Sequence, residues 1–340
     1  MNQKYPAPQN GKMKLGSTPL LICIYNRYEV TLNLFEVLKK IKPKLLYVSA
    51  DGPKNLLDKD LCDKTREIFK NIPWECEVSY LFSENNLGSF ISITNSISKV
   101  FKFHEKLIIL EDDCIPSESF FVFCDELLEK FKHDERISLI SGSNFIQGKN
   151  FFFKLINNNS YYFSETHLIW GWATWKRVWN EFENINYKQL NDYLDSQSFE
   201  SKYNSLYRNV LSVFYREMIN GQRKKHWDHL LSLISVSKNQ YSIVPKKNLV
   251  TNIGYGNGST NNFKKSIINE LPKFELDFPI VHPEFFYTKK NTDIETLRII
   301  YNQNWLRFLL SFLLKKFLRS RNKFLKNLLK KALITGVFFK

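Results

Sequence analysis

Residues 107–117 read LIILEDDCIPS. Four apolar residues, Leu107, Ile108, Ile109 and Leu110, run into three consecutive carboxylates, Glu111, Asp112 and Asp113. A short run that is apolar throughout marks a strand buried on both faces. Three adjacent negative charges repel one another, so their place at the end of such a strand calls for a positive partner. Hard oxygen ligands there suit Mg²⁺ or Mn²⁺. Successive strand residues face opposite ways, so Asp112 and Asp113 are expected to do different work, one on a metal and one on a nucleotide's sugar hydroxyls. The competing reading is a solvated turn at the positive start of the next helix, SESFFVFCDELLEKF, with Ser117 as its cap.

Four more segments share the character of 107–110. They are PLLICIYNR (19–27), KLLYVSADGP (44–53), CEVSYLFSE (76–84) and ISLISGSNF (137–145). Between them lie stretches with apolar residues at helical spacing: 28–40, 60–70, 87–101 and 117–131. The order βαβαβαβαβ predicts an α/β fold with a mostly parallel sheet covered by helices on both faces. Such sheets bind ligands at the carboxyl ends of their strands. Asn26-Arg27, Asp51-Gly52 and the carboxylate triplet all fall at such ends, which predicts one shared crevice. Beyond residue 145 the pattern is less regular: 160–180 is dense in aromatics, 187–236 reads as largely helical, and 248–263 is rich in Gly and Asn. The expected organisation is a flexible N-terminus (1–15), one domain (16–285) and a tail (286–340).

The 340-residue chain carries 43% hydrophobic and 15% aromatic residues, enough for a substantial core. Its net charge of +15 is uneven. From Arg298 to Lys340 there are eleven Lys and Arg and no Asp or Glu, so the remainder, with 38 basic and 34 acidic residues, is nearly balanced. The five cysteines form no CxxC pair, which argues against a disulfide framework or structural zinc and for a reducing compartment. No signal-peptide h-region and no run of roughly 18 apolar residues stands out. The expected location is therefore the cytoplasm, peripheral on the inner face of the cell membrane.

With these residues in place, LIILEDDCIPSESFFVF resembles the strand, Glu-Asp-Asp and helix segment of inverting GT-A-fold glycosyltransferases. It is most similar to the N-acetylglucosaminyltransferase I family and related bacterial nucleotide-diphospho-sugar transferases. PLLICIYNR, VSADGP, NNLGSFISITNSI, KKHWDHLLSL and PKKNLVTNIGYGNGST resemble further segments of that pattern in the same order, across roughly residues 18 to 262. The resemblance implies a GT-A-like fold, a nucleotide-diphosphate sugar donor, a UDP-sugar foremost, and a Mn²⁺ or Mg²⁺ cofactor. It places Arg27 near the donor phosphates, Asp51 on the uracil, Asp112 on the ribose, Asp113 on the metal and Glu111 toward the transferred sugar. Asp228 becomes the catalytic base, and the loop containing Ser259 folds over the donor. The acceptor class is a glycan or a lipid-linked glycan, as in bacterial surface polysaccharide or lipopolysaccharide assembly. His229 after Asp228, and the density of Gly and Asn in the loop, depart from the pattern.

Each remaining candidate has a plainer alternative. Asp228 lies in His226-Trp227-Asp228-His229; it reads as a base for an acceptor hydroxyl, as a helix cap, or as part of a His226–Asp228–His229 metal site. In HLIWGWATWKRVW (167–179), Trp170 and Trp172 flank Gly171, a residue that marks a close backbone approach, and are candidate acceptor platforms; the alternative is core. Gly254, Gly256 and Gly258 read as a lid or as an ordinary loop. The tail alternates Leu and Phe with Lys and Arg, a composition for an anionic membrane surface or a partner helix. It carries no nucleic-acid-binding signature. Two further readings stay open: a non-catalytic nucleotide-sugar or glycan-binding protein, and a basic nucleic-acid-binding protein. A sugar nucleotidyltransferase is disfavoured, because no Gly-rich loop follows the first strand.

Overall fold

A computed structural model describes residues 18–147, 159–202, 205–221, 226–254, 268, 271–288 and 290–302. The first half alternates as expected: β1 (Leu20–Ile24), α1 (Tyr28–Ile41), β2 (Leu45–Ala50), α2 (Leu56–Glu67), β3 (Glu77–Phe82), α3 (Ser89–Phe101) and β4 (Lys106–Glu111). There follow β5 (Cys114–Pro116), α4 (Glu118–Lys130) and β6 (Ile137–Ser141). The second half adds β7 (Tyr161–Ser164), β8 (Trp172–Trp175), α5 (Lys176–Glu183), α6 (Tyr187–Leu194), α7 (Gln197–Lys202) and α8 (Ser205–Ile219). It ends with α9 (Trp227–Ser237), β9 (Tyr241–Pro245), β10 (Val250–Asn252) and α10 (Lys290–Asn302).

Eight strands form one sheet in the order β3-β2-β1-β4-β8-β6-β9-β7. β1 pairs in parallel with both β2 and β4, and β2 with β3. β8 runs antiparallel between β4 and β6, and β7 antiparallel on β9. The protein is thus α/β with a mostly parallel sheet. The aromatic stretch 160–180, which has no clear strand period, supplies the two reversed strands. Their side chains are buried on both faces, so apolar content masks the alternation that would betray them.

Burial follows the sequence pattern. Leu20, Leu21, Ile22, Leu107, Ile108 and Leu110 are fully buried, and α3 and α4 pack over the central strands. α2 starts four residues earlier than expected, because Asn55 accepts a hydrogen bond from the Asp58 amide (3.0 Å) and caps it there. Ser117 does stand at the cap position of α4, but its hydroxyl makes no capping bond. The Glu275 carboxylate, far away in sequence, accepts instead from the amides of Glu118 (3.1 Å) and Ser119 (2.8 Å).

The boundary drawn at residue 285 moves. Phe286 stacks against Phe163 (4.3 Å), and α10 packs on β7, burying Thr296, Leu297 and Ile299. Asp293 on α10 accepts hydrogen bonds from the Ser164 hydroxyl and the Glu165 amide. Residues 286–302 therefore extend the domain, because their apolar groups complete its core. The basic stretch from 303 onward lies outside the described residues. Among the described residues, no helix is long and apolar enough to cross a membrane.

Candidate functional site

The strand order reverses at β1: the next strand in the chain, β2, lies on one side and β4 on the other. Crevices at the carboxyl ends of strands on either side of such a reversal are where open α/β sheets bind ligands. Arg27 follows β1 and the carboxylate triplet closes β4. In register, Cys23 stands beside Glu111, and the Asp112 amide donates to the Cys23 carbonyl (3.0 Å).

Arg27 joins the two strand ends. Its Nε donates to Asp112 Oδ2 (3.1 Å) and its Nη2 to Asp112 Oδ1, giving a two-pronged contact. The same Nη2 donates to Asp113 Oδ2 at 2.9 Å. Arg27 keeps 21% side-chain exposure, against 5% for Asp112 and 13% for Asp113, so the arginine is the most exposed of the three. Burial pulls the Arg27 pKa down, but the two carboxylates outweigh it and hold the guanidinium charged.

The cluster carries more negative charge than Arg27 balances. Burial, with the charges of Asp113, Asp112 and Asp228, pushes Glu111 up to about 8. Burial also raises Asp112, to about 6, against the opposing pull of Arg27. Near neutral pH the site therefore retains a proton that free carboxylates would have lost. A divalent cation would relieve the same excess, and the donor set is oxygen, which fits Mn²⁺ or Mg²⁺.

A second segment roofs Asp113. β10 pairs antiparallel with β5, placing Asn252 opposite Cys114. Asn252 Nδ2 donates to Asp113 Oδ1 (3.0 Å), and the Ile253 amide donates to the Asp113 carbonyl (3.0 Å). Gly254 follows, with its amide on Asn252 Oδ1 (2.9 Å). A Cβ on Gly254 would fall 1.9 Å from Asp113 Oδ2, so only glycine fits there. The loop that resembles a donor cover thus begins on the expected metal ligand. Gly256, Gly258 and Ser259 lie outside the described residues. Sequence reasoning did not single out Asn252, since its link to Asp113 depends on a pairing of β10 with β5, whose partners Asn252 and Cys114 are 138 residues apart in the chain.

Asp51 is buried at the end of β2 with its carboxylate fully engaged. Oδ1 accepts from the amides of Gly52 (2.9 Å) and Leu87 (2.8 Å). Oδ2 accepts from the Gly88 amide (2.9 Å) and from Asn86 Nδ2 (3.1 Å). Four donors fill the roughly four acceptor positions of a carboxylate. Asp51 therefore ties the turn after β2 to the turn before α3, where a Cβ on Gly52 would sit 2.3 Å from the Asn85 backbone.

Asp228 is brought to the crevice by two tryptophans. Trp172 in β8 is beside Ile109 of β4, and the Trp227 ring lies over it (5.7 Å between centroids). Trp227 opens α9, so the next residue, Asp228, comes close enough for its charge to act on Glu111. Its side chain is 31% exposed. This arrangement corrects one expectation: Trp172 is 1% exposed, a core spacer with no face free for an acceptor. Trp170 is half-buried and packs edge-on against Phe145 (4.8 Å). Gly171 between them is in the left-handed region (φ 64°), and a Cβ there would meet Val250 at 2.7 Å, the close approach its position predicts.

No family model matches the chain. No curated protein matches it. Among solved structures it is similar to a UDP-glucose pyrophosphorylase complexed with UDP-glucose, at 9% identity and a TM-score of 0.22. The match covers 36% of this chain and spans 56% of that one. At that TM-score the likeness bears no weight for function, and a functional reading rests on the geometry of the site itself.

Proposed function

We propose that this chain is a metal-dependent inverting glycosyltransferase that moves a sugar from a nucleotide-diphosphate donor, a UDP-sugar, to a glycan or lipid-linked acceptor. The observation that carries the reading is the binding of Arg27 to both Asp112 and Asp113, next to Glu111, at the reversal point of the sheet. Asp113 would hold Mn²⁺ or Mg²⁺, which when bound supplies charge to the leaving diphosphate. Arg27, the exposed member of its ion pair, turns to the diphosphate oxygens, for which a guanidinium fork is suited. Asp112 faces the ribose hydroxyls. Asp51 serves the base by fixing the two turns that would flank it. Asp228 accepts the proton of the acceptor hydroxyl, which a carboxylate within reach of that hydroxyl does without a covalent enzyme intermediate. The basic stretch beyond residue 302 would hold the enzyme at an anionic membrane surface, where lipid-linked acceptors of surface polysaccharide or lipopolysaccharide assembly lie.

The test is calorimetric titration with UDP, GDP, CDP and TDP, each with and without Mn²⁺. Tight binding of one diphosphate only with metal, lost in Asp113→Asn, supports the reading. Binding of none, or full binding in Asp113→Asn, removes it. Release of free nucleotide diphosphate from a sugar donor then separates an enzyme from a binding protein.

A further inference from the structure

Asp228, the proposed base, shares the start of α9 with two histidines that sugar transfer does not use. His226 occupies the cap position of the helix, and Asp228 and His229 lie in its first turn. One ligand atom from each of the three lies within 4.8 Å of those of the other two. His229 Nε2 is 3.8 Å from Asp228 Oδ2. The two imidazoles are 5.6 Å apart at 70°, and the buried Phe214 ring backs both, at 4.6 Å from His229 and 5.7 Å from His226. All three residues are half-buried, so solvent ions reach them.

We infer that His226, Asp228 and His229 form a transition-metal site of the Zn²⁺ class, chemically distinct from the oxygen-ligand site at Asp113. Two imidazoles and one carboxylate are the three-ligand pattern that leaves a fourth position open. Imidazole selects Zn²⁺, Co²⁺ or Ni²⁺ over Mg²⁺ and Mn²⁺. Ligand atoms around tetrahedral zinc stand about 3.3 Å apart. Two of these atoms already stand at 3.8 Å, and rotation of partly exposed side chains closes the remainder. The positive end of the helix opposes a cation, but with only about half an elementary charge. Against it stand three ligand bonds, one of them from the Asp228 carboxylate. The phenyl wall limits the rings' freedom, so less order is lost on binding. The site does not depend on the glycosyltransferase reading. One consequence does: an ion on Asp228 would occupy the oxygen that accepts the acceptor's proton, making this an inhibitory site.

The test titrates Co²⁺ into the untagged, EDTA-treated full chain and follows the visible d–d bands, which are intense only for low coordination numbers. The expected result is one saturable equivalent with intense bands, displaced by stoichiometric Zn²⁺ and not by excess Mg²⁺. The bands persist in Asp113→Asn. They weaken in His229→Gln and in His226→Asn by more than the roughly 10–100-fold that outer-shell changes cost in affinity. Asn is a favoured helix cap, so His226→Asn keeps the fold where a double variant fails to. Unchanged Co²⁺ binding in both histidine variants, or loss of the bands in Asp113→Asn, overturns the inference.

Discussion

Arg27 and Asp112 form a two-pronged ion pair across the ends of two strands that are neighbours in the sheet and 85 residues apart in the chain. The same guanidinium also reaches Asp113. Arg27 therefore acts as the resident counter-ion of a crowded acidic pocket. Removing one partner of a buried pair costs roughly 3–5 kcal/mol, and less where one side is exposed, as Arg27 partly is. Arg27→Ala should lower the thermal midpoint of the metal-free protein, and Mn²⁺ should restore part of the loss by neutralising the stranded carboxylates. A variant as stable as the wild type without metal would refute the counter-ion role.

The metal-free protein should become less stable as pH rises from about 4.5 toward 8. The sign comes from proton linkage. In the unfolded chain Glu111 gives up its proton near the ordinary value of 4.5, whereas the folded pocket holds it up to about 8. Between these values the folded state binds more protons, so each step upward in pH favours unfolding. Urea midpoints in EDTA at pH 5 and pH 8 measure this. Saturating Mn²⁺ should flatten the dependence, and a flat profile in EDTA would count against the charge crowding.

Asp228→Asn should cut release of nucleotide diphosphate from the sugar donor by roughly 10²–10⁴-fold, the usual worth of a positioned general base. Donor affinity should stay unchanged, because the loss falls on the acceptor side. Steady-state kinetics beside calorimetry separate the two, and unchanged turnover removes Asp228 from the base role.

Trp172→Ala should destabilise the protein by about 3–5 kcal/mol, as expected for a fully buried tryptophan. It should also reduce turnover more than donor affinity, because the Trp227 ring loses the surface that seats Asp228. A variant that is unstable yet turns over normally would show that the stacking serves the core alone.

Gly254→Ala should weaken metal-dependent nucleotide binding with little change in folding. The added methyl meets the Asp113 carboxylate and must push the β10 loop, with the Asn252 contact, off the ligand. Equal Mn²⁺-dependent binding in this variant would mean that the roof moves without consequence.

Much of this architecture is legible in the chain. The apolar runs ending at Ile24, Ala50 and Glu111 give the parallel half, and the polar residues after them mark the crevice. What stays hidden depends on distance in sequence. Nothing local tells that Glu275 caps α4, that Asn252 lies on Asp113, or that Asp51 spends all its acceptors on chain amides and the Asn86 side chain. Trp170 and Trp172, two residues apart, look equivalent in the sequence. Only the insertion of β8 between β4 and β6 puts one at the centre of the core and leaves the other half-buried.

That insertion has a consequence for how the protein is made. A ribosome delivers β1 through β6 before it delivers β8, yet β4 and β6 acquire their shared neighbour only when residues 172–175 arrive. Until then β4 presents an unpaired edge of Leu and Ile, the kind of edge that recruits other chains. The half of the site around Arg27 and Asp113 is complete in primary structure long before Asp228 is synthesised. The nascent protein thus passes through a stage with its nucleotide half written and its sheet open, and the second half is seated only after β8 has closed that sheet and α9 has followed it.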